Sequence, residues 1–291
     1  MMPSGIIGLP FCHKCRTRSI KLIELEADVM EPRGLMGGFY RISEWIMRLS
    51  VINLLWLICS IPFVIAASGL FFANGDEEAV LAQLYSAMLL MAIIAPFTLF
   101  PATAAMFSVA RKWVMGETDV ALFKTFFKGY KENYKQAMIG GIIYCLLLAI
   151  MIVDFIVYRD QINVLSYVFI AFLLLLVVSL FNFFSMLVHY HMKTFQLLKN
   201  AVLITIGKPF RSLSTAIMCG AVLFISTKWT FLIPFFMGSI IAYLSFWNFH
   251  IIYQKLQDQV ERAKREAEEA EITADLENEE SVKGNEDSVN K

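Results

Sequence analysis

Long apolar runs separated by short polar intervals make up most of the chain. Several runs are about 20 residues long, the length at which a helix crosses the hydrocarbon core of a bilayer. The runs, numbered here as spans 1 to 6, lie at about 49–72, 81–110, 137–158, 163–188, 213–227 and 229–252. We therefore predict an all-α, polytopic helical membrane protein with about six transmembrane helices, surrounded by the lipid bilayer. The composition agrees, because 58% of the residues are hydrophobic and 17% are charged.

The last apolar stretch decides between six spans and five. Residues 213–252 contain about 40 mostly apolar residues, too many for one helix across a core about 30 Å thick. Thr227, Lys228 and Trp229 divide this stretch into spans 5 and 6. The alternative is a protein of five spans, in which this helix would be overlong and the C-terminal tail would lie outside.

Lys and Arg are concentrated in alternate intervals between the spans. Residues 111–135 contain six of them and residues 189–211 contain four, whereas residues 73–80 contain none. Cytoplasmic loops of membrane proteins are enriched in Lys and Arg. We therefore expect the basic intervals and both termini to be cytoplasmic, in a multi-pass protein of the cell membrane.

The two ends of the chain differ from the transmembrane domain, which we place at residues 36–253. Residues 1–35 have scattered charges and no periodic apolar face, which predicts a poorly ordered extension. Residues 37–48 have aromatic and aliphatic side chains at helical spacing, typical of an amphipathic helix at the bilayer surface. Residues 254–291 contain twelve Asp and Glu against six Lys and Arg. This charged tail should be helical at first and disordered after about residue 278.

The N-terminal extension leaves two alternatives open. Cys12 and Cys15 flank a histidine, but a structural zinc site needs four ligands and no second pair occurs in a soluble stretch. We therefore predict no metal site. The composition changes abruptly near residue 37, so translation could begin at Met30 or Met36 instead of the first methionine.

A comparison of the chain with itself indicates an internal repeat. At an offset of 80 residues, Lys128 aligns with Lys208 and Gly140 aligns with Gly220, without gaps. Spans 2 and 3 would then repeat as spans 4 and 5 in the same orientation, as in the parallel repeats of some transporters.

The sequence contains none of the motifs that mark common catalytic or nucleotide-binding sites. His189 and His191 are close in the chain, but residues two positions apart do not share a helix face. Asp154 lies about one turn from the end of its span, where it can reach the interface. We predict a protein that is not an enzyme, needs no cofactor and binds no nucleic acid.

The interval after span 2 contains the residues we single out as structural or partner-docking candidates. Gly116 permits a left-handed exit from the helix, and Glu117 to Asp119 can begin the next helix. A rigid cytoplasmic turn between the two helices, which we call the elbow, explains each residue type. The alternative is that Glu117, Asp119 and Lys124 dock a partner. The candidates are Pro101, Arg111, Lys112, Trp113, Gly116, Glu117, Asp119 and Lys124.

Several motifs together resemble the YesL family, bacterial membrane proteins of unknown function. They are Gly37-Gly38-Phe39-Tyr40-Arg41, Glu44-Trp45, Asn53 with Trp56, Phe100-Pro101-Ala102-Thr103-Ala104, Arg111-Lys112-Trp113, Gly116-Glu117-Thr118-Asp119 and Phe123-Lys124. The resemblance covers about residues 36–255, and it is specific through residue 135 and diffuse beyond. Genes of this family often lie beside genes for carbohydrate uptake and breakdown, which implies an accessory role near sugar transporters. The family supplies no catalytic residues.

These observations favour a non-enzymatic accessory or regulatory membrane component associated with carbohydrate uptake. Its partners would be subunits of an ABC sugar transporter or a second copy of the chain. A small secondary transporter or channel is the alternative, because Pro96 and Pro101 interrupt span 2 and the chain repeats. The scarcity of charged residues within the spans argues against ion coupling.

Overall fold

The computed structural model describes residues 35–72, 74–158 and 163–289, which form helices joined by turns. The helices are α1 (Leu35–Cys59), α2 (Ile61–Ser68), α3 (Glu77–Ile94), α4 (Leu99–Val114), α5 (Leu122–Tyr158), α6 (Asn163–His189), α7 (Thr194–Gly207), α8 (Pro209–Lys228) and α9 (Gly238–Val289). A five-residue π-helix, Ile233–Met237, directly precedes α9. The N-terminal extension, with its zinc and start-site alternatives, lies outside the described residues.

Six helical segments in the described part of the chain are long and apolar enough to cross a bilayer. They are Gly38–Cys59, Glu77–Ile94, Leu122–Tyr158, Ser166–His189, Pro209–Lys228 and Ile233–Ala270. The prediction of a polytopic helical membrane protein with about six spans is confirmed. The apolar stretch at residues 213–252 is divided at the predicted position, residues 227–229, since α8 ends at Lys228. The orientation of the termini and the internal repeat stay predictions.

The first span begins and ends earlier than the sequence predicts. The predicted surface helix at residues 37–48 and the start of span 1 form one continuous helix, α1. Nothing between residues 39 and 59 interrupts the hydrogen-bond ladder, since this stretch contains neither Gly nor Pro. The chain turns at Ser60 instead, and Pro62 occupies the first turn of α2, where a missing N–H costs little.

The chain divides into two compact units, Met1–Arg48 and Leu49–Lys291. In the described part of the first unit, Arg48 forms an ion pair with Glu44 one helical turn earlier. The second unit contains the rest of α1 and every other helix, and the core described below belongs to it.

Span 2 is broken into two helices. Helix α3 ends at Ile94 and α4 starts at Leu99, with a turn at residues 95–98. Pro96 lies in this turn and has no N–H to continue the ladder. Pro101 belongs to the first turn of α4, where backbone N–H groups have no acceptor within the helix, so it is tolerated there.

Helix α4 lies at the centre of the second unit and packs against α5, α6 and α9. Its inward face includes several alanines, of which Ala102, Ala104 and Ala105 are fully buried. Small side chains of this kind let neighbouring helices approach closely in a membrane. At the contact with α5, a Cβ atom added to Gly129 would lie 2.5 Å from the hydroxyl oxygen of Ser108. The sequence of α4 therefore sets the spacing of the bundle.

The two basic intervals have different structures. After α4 the chain forms a short loop and then the single long helix α5. After α6 it forms the separate helix α7, which ends before the Pro209 that starts α8. At the C-terminal end, α9 continues to Val289, so the structure has helix beyond residue 278, where the composition predicts disorder.

Candidate functional site

The elbow after α4 has the geometry of a glycine-terminated helix. Gly116 has φ +92°, the left-handed conformation that the sequence predicts there. The N–H of Gly116 donates to the carbonyl of Trp113 at 3.1 Å, and the N–H of Glu117 donates to the carbonyl of Lys112 at 2.9 Å. These two bonds together form a Schellman motif, which satisfies carbonyls at the end of the helix. The backbone turn is thus defined by its own hydrogen bonds.

The other candidate residues lie at different places along the same helix and its exit. Lys112 forms an ion pair with Glu117 at 3.1 Å across the turn. Trp113 is buried in the bundle. Asp119 and Lys124 are exposed at the start of α5. The structure thus brings the elbow residues together at one end of α4, and docking of a partner there stays a prediction.

Two candidates have other surroundings. Pro101 is buried near the opposite end of α4, about 15 Å from Arg111 at 1.5 Å per residue. Arg111 is half-buried, and its Nε atom is buried with no hydrogen-bond partner among the described residues. Pro101 therefore does not belong to the elbow, and Arg111 faces the interior of the bundle.

A second set of polar contacts joins the first and last spans. The fully buried side chain of Asn53 donates to the carbonyls of Ile233 at 3.0 Å and Pro234 at 2.7 Å. Its carbonyl oxygen accepts from the N–H of Ser239 at 3.0 Å. The π-helix and its proline disturb the backbone ladder here. The Asn53 amide supplies hydrogen bonds that a regular helix would make internally.

Trp56, one turn after Asn53, connects the same helix to α4. Its indole N–H donates to the hydroxyl of Thr103 at 3.0 Å. Gly238 lies directly against the Asn53 carbonyl oxygen, because an added Cβ atom would lie 2.8 Å from it. Asn53, Trp56 and Thr103, all residues of the family motifs, therefore meet at one junction of α1, α4 and the start of α9.

Further buried amide and hydroxyl groups join the helices of the second half. The Asn182 side chain donates to the Thr205 hydroxyl at 2.9 Å, and the Ser212 hydroxyl donates to the Thr205 carbonyl at 2.7 Å. Asn248 donates to the carbonyl of Arg211 at 2.8 Å. Asn182 and Asn248 lie within predicted spans 4 and 6. The sequence does not indicate their partners, because a hydroxyl or a carbonyl in an apolar run has no distinctive pattern.

A cleft of about 260 Å³ opens between α5, α6 and α7. It is lined by Leu147, Met151, Phe172, Leu175, Leu176, Ser179, Val202, Thr205 and Ile206. The two hydroxyls already have partners, since Ser179 bonds Tyr144 at 2.8 Å and Thr205 bonds Asn182. The cleft is therefore almost entirely apolar and suits a hydrocarbon chain better than a polar solute.

The ligand chemistry of the described residues is limited. They include no group of three or more His, Cys, Asp or Glu side chains placed to hold a metal ion. Cys59, Cys145 and Cys219 have free thiols. The hydrogen bonds described above join helices of the bundle to one another.

The fold and these polar junctions define a multi-pass helical membrane protein. The model of the family described as "Protein of unknown function, DUF624" matches residues 49–155. That segment contains Asn53, Trp56, α4 and the elbow. The chain belongs to this family, which includes YesL, and the resemblance seen in the sequence motifs is confirmed.

The relatives come from Bacillus subtilis (strain 168). The chain is 28% identical to the uncharacterized protein YteU over 230 residues, which cover 78% of this chain and 89% of YteU. It is 26% identical to the uncharacterized protein YesL over 241 residues, 82% of this chain and 96% of YesL. It is 31% identical to the uncharacterized protein YesV over 140 residues, 47% of this chain and 67% of YesV. No solved structure matches the chain.

Proposed function

We propose that this protein is a non-enzymatic accessory or regulatory component of the cell membrane, associated with carbohydrate uptake. It would act by contact with other membrane proteins, such as subunits of an ABC sugar transporter, or with another copy of itself. The observation that carries this proposal is the aromatic filling of the bundle centre.

Five aromatic side chains fill the centre, where α4, α5 and α6 meet. The ring centroids of Phe100 and Phe107 each lie 5.5 Å from that of Phe184. The Phe183 ring lies 5.5 Å from Tyr144 and 5.7 Å from Phe184. All five side chains are at most 4% exposed. Contacting rings at these distances leave no room for a solute between the three helices.

A transporter binds its substrate near the middle of the membrane, between its helices. Here the centre of the bundle is packed with aromatic rings, and the buried amides of Asn53, Asn182 and Asn248 bond to groups of the protein itself. This arrangement supports a role in which the bundle presents its outer surface to partners. The carbohydrate link rests on the genes that accompany the YesL family.

Crosslinking in cells followed by purification in mild detergent tests the proposal. We expect subunits of a sugar ABC transporter to copurify with the protein, and we expect Lys124→Glu to lower their recovery if the elbow is the docking site. Lys264→Glu, on the exposed part of α9, is the matched control. Purification of the protein alone, after efficient crosslinking, would contradict the proposal.

The second candidate function is a small secondary transporter or channel. Discontinuous helices mark substrate sites in many transporters. The break between α3 and α4 and the π-helix before α9 are two such discontinuities. Uptake of a sugar or ion into reconstituted vesicles, abolished by Pro101→Leu, would favour this function. Vesicles that remain inactive across a panel of substrates would exclude it.

A further inference from the structure

Three nitrogen-containing side chains meet where α4, α6 and α9 pack together, at the end of the bundle with the basic intervals. Arg111 lies near the end of α4, His189 is the last residue of α6, and His250 lies in α9. We call these three residues the Arg–His cluster. Any two of these residues are at least 61 positions apart in the sequence, so only the fold brings them together.

Aromatic side chains hold the two imidazoles of the Arg–His cluster in place. The Tyr253 ring lies 4.6 Å from the His189 ring and 6.3 Å from the His250 ring, measured between centroids. On the inner side, Phe246 lies 6.2 Å from His189 and 6.4 Å from His250. Arg111 and His250 are both close enough to His189 to interact with it electrostatically. The two imidazoles are therefore packed in one aromatic group, and Arg111 lies near enough to His189 to affect it electrostatically.

Each member of the Arg–His cluster has a buried nitrogen atom without a hydrogen-bond partner in the described part of the protein. These atoms are Arg111 Nε, His189 Nδ1 and His250 Nδ1. Buried polar groups in proteins are nearly always paired, because losing water without gaining another partner is unfavourable. Three such atoms from three helices at one place indicate that something else binds there.

The hydrogen bonds around His250 show which kind of partner is missing. The side-chain nitrogen of Gln254 lies 3.1 Å from His250 Nε2. An amide nitrogen can only donate, so Nε2 accepts and neutral His250 has its proton on Nδ1. Arg111 Nε is also a donor in all conditions. The cluster therefore presents buried N–H donors that need an acceptor.

We propose that the Arg–His cluster binds a phosphate group. A phosphate has several acceptor oxygens and a negative charge, which match the N–H of the Arg111 guanidinium and the Nδ1–H of the His250 imidazole. No carboxylate of the described residues forms an ion pair with Arg111, and the nearby Glu117 is bonded to Lys112 instead. The phosphate could belong to an anionic lipid headgroup, since the cluster lies at the basic end of the spans, or to a soluble molecule.

Thermal unfolding of the purified full-length protein tests the proposal and separates the two sources. One arm adds inorganic phosphate in detergent, against chloride at equal ionic strength. The other compares nanodiscs of phosphatidylcholine with nanodiscs that also contain phosphatidylglycerol. We expect a higher Tm with bound phosphate, because a ligand of the folded state stabilises it. A rise with inorganic phosphate assigns a soluble ligand, and a rise only with phosphatidylglycerol assigns a lipid headgroup.

Two variants establish that the cluster is responsible. Arg111→Met should weaken the apparent affinity for the active probe at least about tenfold, as expected for loss of a charge-assisted hydrogen bond. It should not lower the Tm without the probe, because it removes a buried donor that has no partner. His250→Phe keeps a ring between Phe246 and Tyr253 and removes the Nδ1 donor, so it should also weaken binding.

Lys112→Met is the matched control, since Lys112 is the next cation on α4 but pairs with Glu117 outside the cluster. It should retain the phosphate-dependent rise in Tm. Three results would overturn the proposal. The first is no rise in Tm with either probe. The second is a loss of the rise in Lys112→Met as large as in Arg111→Met. The third is an undiminished rise in both single variants, His250→Phe and Arg111→Met.

Discussion

The contact between Gly140 and Phe183 shows how single residues determine the packing of this bundle. Gly140 is buried on α5, and a Cβ atom added there would lie 2.7 Å from Cε1 of the Phe183 ring. The adjacent Gly141 faces Phe100 in the same way, with an added Cβ atom 2.8 Å from its Cγ. The glycine pair therefore allows α5 to approach the aromatic centre, which larger residues would prevent.

Gly140→Ala should destabilise the protein by about 1–3 kcal/mol, because a methyl group would overlap a ring that its neighbours hold in place. Thermal unfolding in detergent, followed by the loss of native fluorescence, measures the effect. Gly220→Ala is the matched control, since Gly220 aligns with Gly140 in the predicted repeat and an added Cβ atom meets nothing within 4 Å. An equal loss in both variants would contradict the packing argument.

For single residues, the sequence indicated which side chains need a hydrogen bond better than it indicated the groups that supply it. Asn53 and Asn182 are conspicuous in the sequence because an amide within a span is costly unless it is bonded. Their acceptors could not be predicted. Asn53 bonds carbonyls of residues 233 and 234 at the far end of the chain, and every residue has a carbonyl. His250 escaped notice because a single histidine near the end of a span has no pattern of its own.

Among the elements, α4 and its elbow show how a local signal can define a structure. The left-handed glycine, the Schellman hydrogen bonds and the Lys112–Glu117 ion pair all lie within six residues of sequence. Interactions of this kind depend on near neighbours, which is why the turn at Gly116 was predictable. For residues 95–98 the sequence indicated only that prolines interrupt span 2, because a proline in a membrane helix can bend it or end it.

Gly116→Val should lower the yield of folded protein, because a β-branched residue resists the left-handed conformation by about 1–2 kcal/mol. No other atoms crowd this position, so the backbone angle alone is responsible. Lys124→Glu should leave the yield unchanged, because its side chain is exposed. Size-exclusion chromatography of both variants in detergent provides the measurement. A harmless Gly116→Val combined with an inactive but well-folded Lys124→Glu would favour partner docking over a structural role.

For the whole molecule, composition and length were enough to predict the class. Runs of about 20 apolar residues fix the number of spans because the bilayer has one thickness. The positions of helix ends depend on local breakers, which composition alone does not place. Helix α1 extends into the predicted surface helix because neither Gly nor Pro interrupts residues 39–59, and α7 is separate because it ends before Pro209.

The distribution of Lys and Arg predicts that both ends of the chain lie in the cytoplasm. A green fluorescent protein joined to the C-terminus should therefore be fluorescent, because it folds in the cytoplasm. The same reporter joined after Gly75, in the acidic connection between α2 and α3, should be dark. The reverse pattern would invert the orientation, and a dark C-terminal fusion beside a dark Gly75 fusion would favour an odd number of spans.

The length of α5 has a mechanical consequence. Its 37 residues extend about 55 Å, whereas the hydrocarbon core is about 30 Å thick. The excess lies at the end with Lys124, Lys128 and Lys131, where Phe126 is buried and Gly129 packs against Ser108 of α4. A displacement of this end of α5 would therefore act on α4 as well.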